Sequence, residues 1–136
     1  MNSILPSVST LTAGARPARP NVSVIMVVYR TGEALIESLK PVLAEPLVDE
    51  FVVAVGRGSD ETLARVLAIG DPKIRVIETL WNERMADRGF VYAQQKMIAQ
   101  YSCTGDWAFY LEGDEVVHEE DLAAIRASVE RHHDNP

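Results

Sequence analysis

The sequence has a single cysteine, Cys103, so no disulfide can close within the chain and no cysteine-rich zinc site can form. That fits a reducing compartment, and a cytoplasmic protein is expected. Long apolar runs are also missing: the longest, Val24 to Tyr29, falls far short of the ~20 residues a membrane helix needs. No membrane span is expected. Positive charge is in the minority, with 13 Lys and Arg against 20 Asp and Glu, and the resulting charge of −7 is spread along the chain. Such a surface disfavours nucleic acid and anionic lipid and leaves small molecules as the better partner class. No basic cluster precedes Ile4 and Leu5, and Pro6 interrupts any signal-like core, so no secretion signal is read. Residues 1–20, with Gly14, Pro17 and Pro20 among small and polar residues, have no hydrophobic period and are predicted to be a flexible leader.

What is present is enough apolar material, 47% of 136 residues, for one domain with one core, placed at residues 21–136. Short runs rich in β-branched residues alternate with stretches of helical spacing. This pattern predicts an α/β fold with a mainly parallel sheet and helices on both faces. Val22 to Tyr29 is apolar enough throughout to be the central strand. Thr31 is placed to cap a helix carrying Leu35, Ile36 and Leu39, which Pro41 should kink or end. A strand at Phe51 to Val55 leads through Gly56 and Gly58 to a helix capped by Ser59 or Asp60, with Leu63, Val66 and Leu67 as its stripe and Gly70 at its end. Lys73 to Glu78 reads as a strand, and Thr79 to Gly89 as a polar functional loop. Phe90, Met97, Ile98 and Tyr101 predict a helix over Val91 to Tyr101; Trp107 to Leu111 reads as a buried strand, and Glu119 to Arg131 as a helix with an acidic first turn.

Open parallel sheets bind ligands beyond the carboxyl ends of their strands. Here those ends carry Tyr29 and Arg30, then Gly56 to Asp60, the loop from Thr79, and Glu112, Gly113, Asp114 and Glu115. Three carboxylates within four residues repel one another unless a cation or several donors neutralise them. One reading is a hard divalent ion, Mn²⁺ or Mg²⁺, shared with substrate phosphates. The other is a solvated turn that introduces the acidic helix.

The run Val22-Ser-Val-Ile-Met-Val-Val-Tyr-Arg30 resembles the opening strand of family 2 glycosyltransferases, and Gly105-Asp-Trp-Ala-Phe-Tyr-Leu-Glu-Gly-Asp-Glu115 is similar to that family's strand leading into its DxD motif. The likeness extends from Asn21 to about Arg131. It implies the nucleotide-sugar-binding half of a GT-A domain, with the first and fourth strands side by side. It also implies a metal held by Asp114 and Glu112, with Glu112 near the ribose, and a nucleotide bordered by Tyr29 and Arg30. Val27 stands where the family commonly has proline, and Glu112 where it has aspartate. Gly56 falls where the family usually has the acid that helps recognise the base, which leaves Asp60 in that region. Arg57 could reach phosphate or base, or be an exposed turn residue. Arg84, Arg88 and Lys96 are candidates to counter a diphosphate, Arg88 first because Gly89 beside it permits close approach, although each could equally be a surface charge. Trp81 is the better of the two tryptophans for stacking on a base or sugar. His118 is a ligand, proton carrier or cap, and the adjacent His132 and His133 cannot chelate one ion together.

The reaction implied by the resemblance is inverting transfer from a nucleoside diphosphate sugar to an acceptor, the acceptor unknown and uridine favoured by likeness to the family. The family's catalytic base lies well past the DxD motif, so here it is expected beyond Pro136 and no residue of the chain is assigned that role. The chain is accordingly expected to be a fragment that binds donor but transfers slowly. Incomplete cover of Leu122, Ile125 and Val129 would favour self-association. The alternative is a non-catalytic nucleotide-binding or interaction module.

Overall fold

A computed structural model describes residues 21–31, 34–58 and 60–133; the leader, the Ser59 cap and the chain end at Pro136, beyond which the base is expected, lie outside them. In order come β1 (Val22–Val28), α1 (Ala34–Ala44), β2 (Val48–Gly56), α2 (Thr62–Ala68), β3 (Ile74–Thr79), a 3-10 helix (Glu83–Arg88), α3 (Phe90–Tyr101), β4 (Trp107–Tyr110), a 3-10 turn (Glu119–Asp121) and α4 (Leu122–Arg131). The strands form one parallel sheet in the order β3-β2-β1-β4. β1 is central and buried along nearly its whole length, as its run of Val, Ile and Met dictates. β4, expected to be buried, pairs among the described residues only with β1 and has Ala108 and Tyr110 exposed. An edge position leaves one face and one rim uncovered, which its apolar sequence does not reveal.

The two faces of the sheet are covered by different helices. Leu35, Leu39 and Leu43 of α1 and Val66 of α2 pack with Val24, Met26, Val28, Phe51, Val53 and Val55. Ala99 of α3 packs on the opposite set, Ile25, Val52 and Ala54. Burying a leucine contributes about 1.5–3 kcal/mol, which explains why α1 runs on through Pro41 to Ala44 instead of ending there. Three leucines at four-residue spacing outweigh one lost backbone bond near the helix end.

α3 corrects the sequence reading more sharply. Phe90, Met97 and Tyr101 are 58%, 52% and 82% exposed, and the buried stripe is Val91, Gln95 and Ala99. Small Ala99 lets the helix approach the sheet, and buried Gln95 is tolerated because its Nε2 donates to the Leu80 carbonyl at 3.1 Å. Leu67 of α2 is likewise exposed, while Val66 and Thr62 face inward. Asp60 does not cap α2: Glu61 holds that position without a side-chain capping bond, and Asp60 Oδ2 accepts from the Thr62 hydroxyl at 2.6 Å.

The amino ends of the strands are tied by one carboxylate. Glu50 Oε2 accepts from Ser23 Oγ at 2.7 Å, Thr104 N at 2.9 Å and Thr104 Oγ1 at 3.1 Å, while Oε1 pairs with Arg75 at 2.7 Å. Burial alone would raise its pKa, but the Ser23 and Thr104 donors and the Arg75 charge hold it below the ordinary glutamate value. Gly105 approaches so closely that a Cβ there would meet Ser23 Oγ at 2.7 Å and Asn21 O at 2.9 Å.

α4 is tied to the carboxyl end of α1, where Arg126 Nε donates to Oε1 of Glu45, the residue after that helix, at 2.9 Å. Between them lies a cavity of about 370 Å³ walled by Val24, Val42, Phe109 and Leu111, with Leu122 and Ile125 on its α4 side. Val129 is buried. Among the described residues no helix is long and apolar enough to cross a membrane.

Candidate functional site

The carboxyl ends of β1 and β4 meet as the two motifs require. Leu111 N donates to Ile25 O at 3.0 Å, and a Cβ on Gly113 would lie 3.5 Å from Thr31 Cγ2. The Glu112–Glu115 segment therefore abuts the segment after Tyr29. β1 ends sharply because Arg30 takes a left-handed φ of 53°, a conformation that costs a non-glycine residue about 1–2 kcal/mol. Strain of this kind persists only where the surroundings enforce it.

The three acids divide their roles. Glu112 pairs with Lys96 of α3, and Glu115 Oε2 accepts the backbone N–H of Glu112 at 2.9 Å. Asp114 is exposed and has no hydrogen-bond or ion-pair partner among the described residues. Repulsion is thus relieved by one ammonium and one amide, leaving a single free carboxylate. Among the described residues no group of three or more His, Cys, Asp and Glu side chains is gathered to hold a metal. A hard divalent ion needs no such cage where one or two carboxylates are completed by phosphate oxygens, and Asp114 with Glu112 suits that arrangement.

Across the end of β1 stands an aromatic wall. The Tyr29 and Trp81 rings stack 4.2 Å apart at 5°, and Tyr92 of α3 meets Trp81 edge-on at 5.0 Å. Tyr29 O–H donates to Glu83 Oε1 at 2.6 Å, a bond that pushes the phenol pKa up. The Arg30 guanidinium carbon lies 5.0 Å from the Tyr29 ring centre. Gly56 forms the floor: a Cβ there would sit 3.0 Å from both Trp81 and Tyr29. An acid at this position would collide with the stack.

The loop expected from Thr79 to Gly89 contains the 3-10 helix. Asn82 caps it, Oδ1 accepting from Arg84 N at 3.1 Å, and Gly89, at φ 70°, both closes it and opens α3. Arg88 is exposed, with no ion pair among the described residues. Arg57 lies 3.8 Å from Glu78, both exposed, a pair of little energetic weight. Asp60 is engaged with Thr62. The structure therefore gathers Tyr29, Arg30, Gly56 and Trp81, and separately Glu112, Asp114 and Lys96, while Arg57, Asp60 and Arg88 join neither cluster by a bond. His118 caps the 3-10 turn, its Nδ1 accepting from Glu120 N at 3.2 Å. Tyr92 escaped the sequence reading because no spacing rule ties an exposed residue of α3 to a loop indole.

The parallel α/β sheet, with polar residues beyond its strand ends, is a Rossmann-like arrangement consistent with a GT-A nucleotide-binding fold. Residues 23–135 match the family model "Glycosyl transferase family 2", and the chain belongs to that family. Among solved structures, a crystal structure of S. aureus TarS is similar with a TM-score of 0.66 and 20% identity, over 83% of this chain and 20% of that one. At that identity the likeness concerns the fold, and the chain spans a fifth of the other protein's length, 20%. Comparison with curated proteins returns no match.

Proposed function

We propose that the chain binds a nucleoside diphosphate sugar together with Mn²⁺ or Mg²⁺ beyond β1 and β4, as the donor half of an inverting glycosyltransferase. The carrying observation is the free carboxylate of Asp114, held beside the end of β1 next to a Glu112 already neutralised by Lys96. Asp114 and Glu112 would hold the ion, which when bound acts as a Lewis acid on the diphosphate and stabilises its departing charge. Lys96 keeps Glu112 oriented, and its ammonium would lie near the same phosphates. Arg30 approaches from the β1 side; Arg57 and Arg88 are the further basic candidates, and Asp60 the acid nearest the missing one at Gly56. Tyr29 borders the base.

The test is calorimetry with UDP and Mn²⁺, uridine being chosen from family likeness. Asp114→Asn is expected to weaken the metal-dependent affinity tenfold or more, about 1.4 kcal/mol. Unchanged affinity would make the carboxylates structural and remove the reading.

A further inference from the structure

The aromatic wall restricts where a base can sit. Stacked rings 4.2 Å apart are in contact, and a base inserted between them needs roughly another ring thickness, on the order of 3.5 Å. No base can therefore enter between Tyr29 and Trp81 as they stand, and the indole lies so near the floor, Gly56, that a Cβ there would meet it at 3.0 Å.

One of the two rings must yield, and their tethers differ. Tyr29 follows the central strand and is pinned at its hydroxyl by Glu83. Trp81 lies in an irregular stretch between β3 and the 3-10 helix, and its indole N–H donates to no group among the described residues. The half-buried indole packs beside Gly56 and against the rings of Tyr29 and the exposed Tyr92, and among the described residues no polar bond holds it.

We infer that Trp81 is a displaceable plug of the base subsite: a nucleobase takes the indole's place on Tyr29, above Gly56, and Trp81 swings out. This rests on the proposed nucleotide site and adds a residue that sets its affinity. It also accounts for the missing acid, since glycine is the residue that leaves room for the plug.

The experiment compares Mn²⁺-dependent binding of UDP and of pyrophosphate, which has no base. Trp81→Ala is expected to bind UDP about two- to tenfold tighter, the worth of one aromatic pair, with pyrophosphate binding unchanged, which also reports that the variant is folded. In a Trp107→Phe background Trp81 is the sole tryptophan, and among the described residues Trp107 Nε1 has no partner to lose. There UDP, but not pyrophosphate, should make the fluorescence more readily quenched by acrylamide. Equal or weaker UDP binding by Trp81→Ala overturns the plug, as does an indole that becomes less accessible with UDP. Should Trp81→Ala not fold, the quenching result decides alone. If pyrophosphate binds wild type in an Asp114-dependent manner while these results fail, the plug falls and the metal site stands; if neither ligand binds, both fall.

Discussion

The two ends of the sheet use their polar groups in opposite ways. At the amino ends Glu50 takes three hydrogen bonds and an arginine, Asn21 N donates to Asp106 at 3.1 Å, and Gly105 N donates to Ser23 Oγ at 2.9 Å. At the carboxyl ends Asp114 and Arg88 have no partner among the described residues, Arg30 sits in a strained conformation, and an indole has no polar tether. Groups whose bonds are made within the protein contribute to folding, whereas unpaired ones contribute little. The amino ends therefore serve stability, and the carboxyl ends carry the unpaired groups on which the proposed site rests.

Substitutions without ligand can break or sharpen that division. Gly105→Ala should be the costliest, about 3 kcal/mol, because its Cβ would meet backbone at 2.8 and 2.9 Å; urea unfolding measures it. Glu50→Gln should cost about 2 kcal/mol by removing the charge from its hydrogen bonds. Because the folded carboxyl titrates below the ordinary 4.5, its contribution is complete above that pH and drains away as pH falls through the lower folded value. The variant's stability should accordingly fall less than wild type's on acidification, which thermal melts across that range would show. Arg30→Gly should stabilise by about 0.5 kcal/mol, relief of the left-handed strain exceeding the entropy glycine adds. Asp114→Asn should lie within about 0.5 kcal/mol of wild type. A cost for Asp114→Asn equal to that of Glu50→Gln would mean that both ends are structural, and the division would fail.

Much of the architecture was legible because β1, β2 and β3 carry continuous β-branched runs and Gly70 and Pro72 punctuate α2. The side-by-side placement of β1 and β4 followed from the family resemblance. The inward face of α3 was not legible: spacing grouped Phe90, Met97 and Tyr101, but the close approach of Ala99 to the sheet decided the rotation. Which of the two effects Pro41 would have was not legible: the helix passes it, because burial of Leu43 overrides the local preference of proline to end it. At the site, the acids at 112–115 stood out as a charge cluster, but the Lys96 pairing spans 16 positions and the Tyr29–Trp81 stack joins two loops. Neither leaves a local sequence signal. The absence of an acid at Gly56 was visible; its reason, the ring lying against it, was not.

The joint at Gly89 selects for handedness and not for size. Its φ of 70° serves two helices at once, yet an added Cβ would meet nothing within 4 Å. L-alanine there costs about 1 kcal/mol for the backbone alone. Gly89→Ala should therefore lose that backbone cost and no packing, and Gly89→Asn, whose side chain tolerates the left-handed region, should lose less, as thermal melts would show.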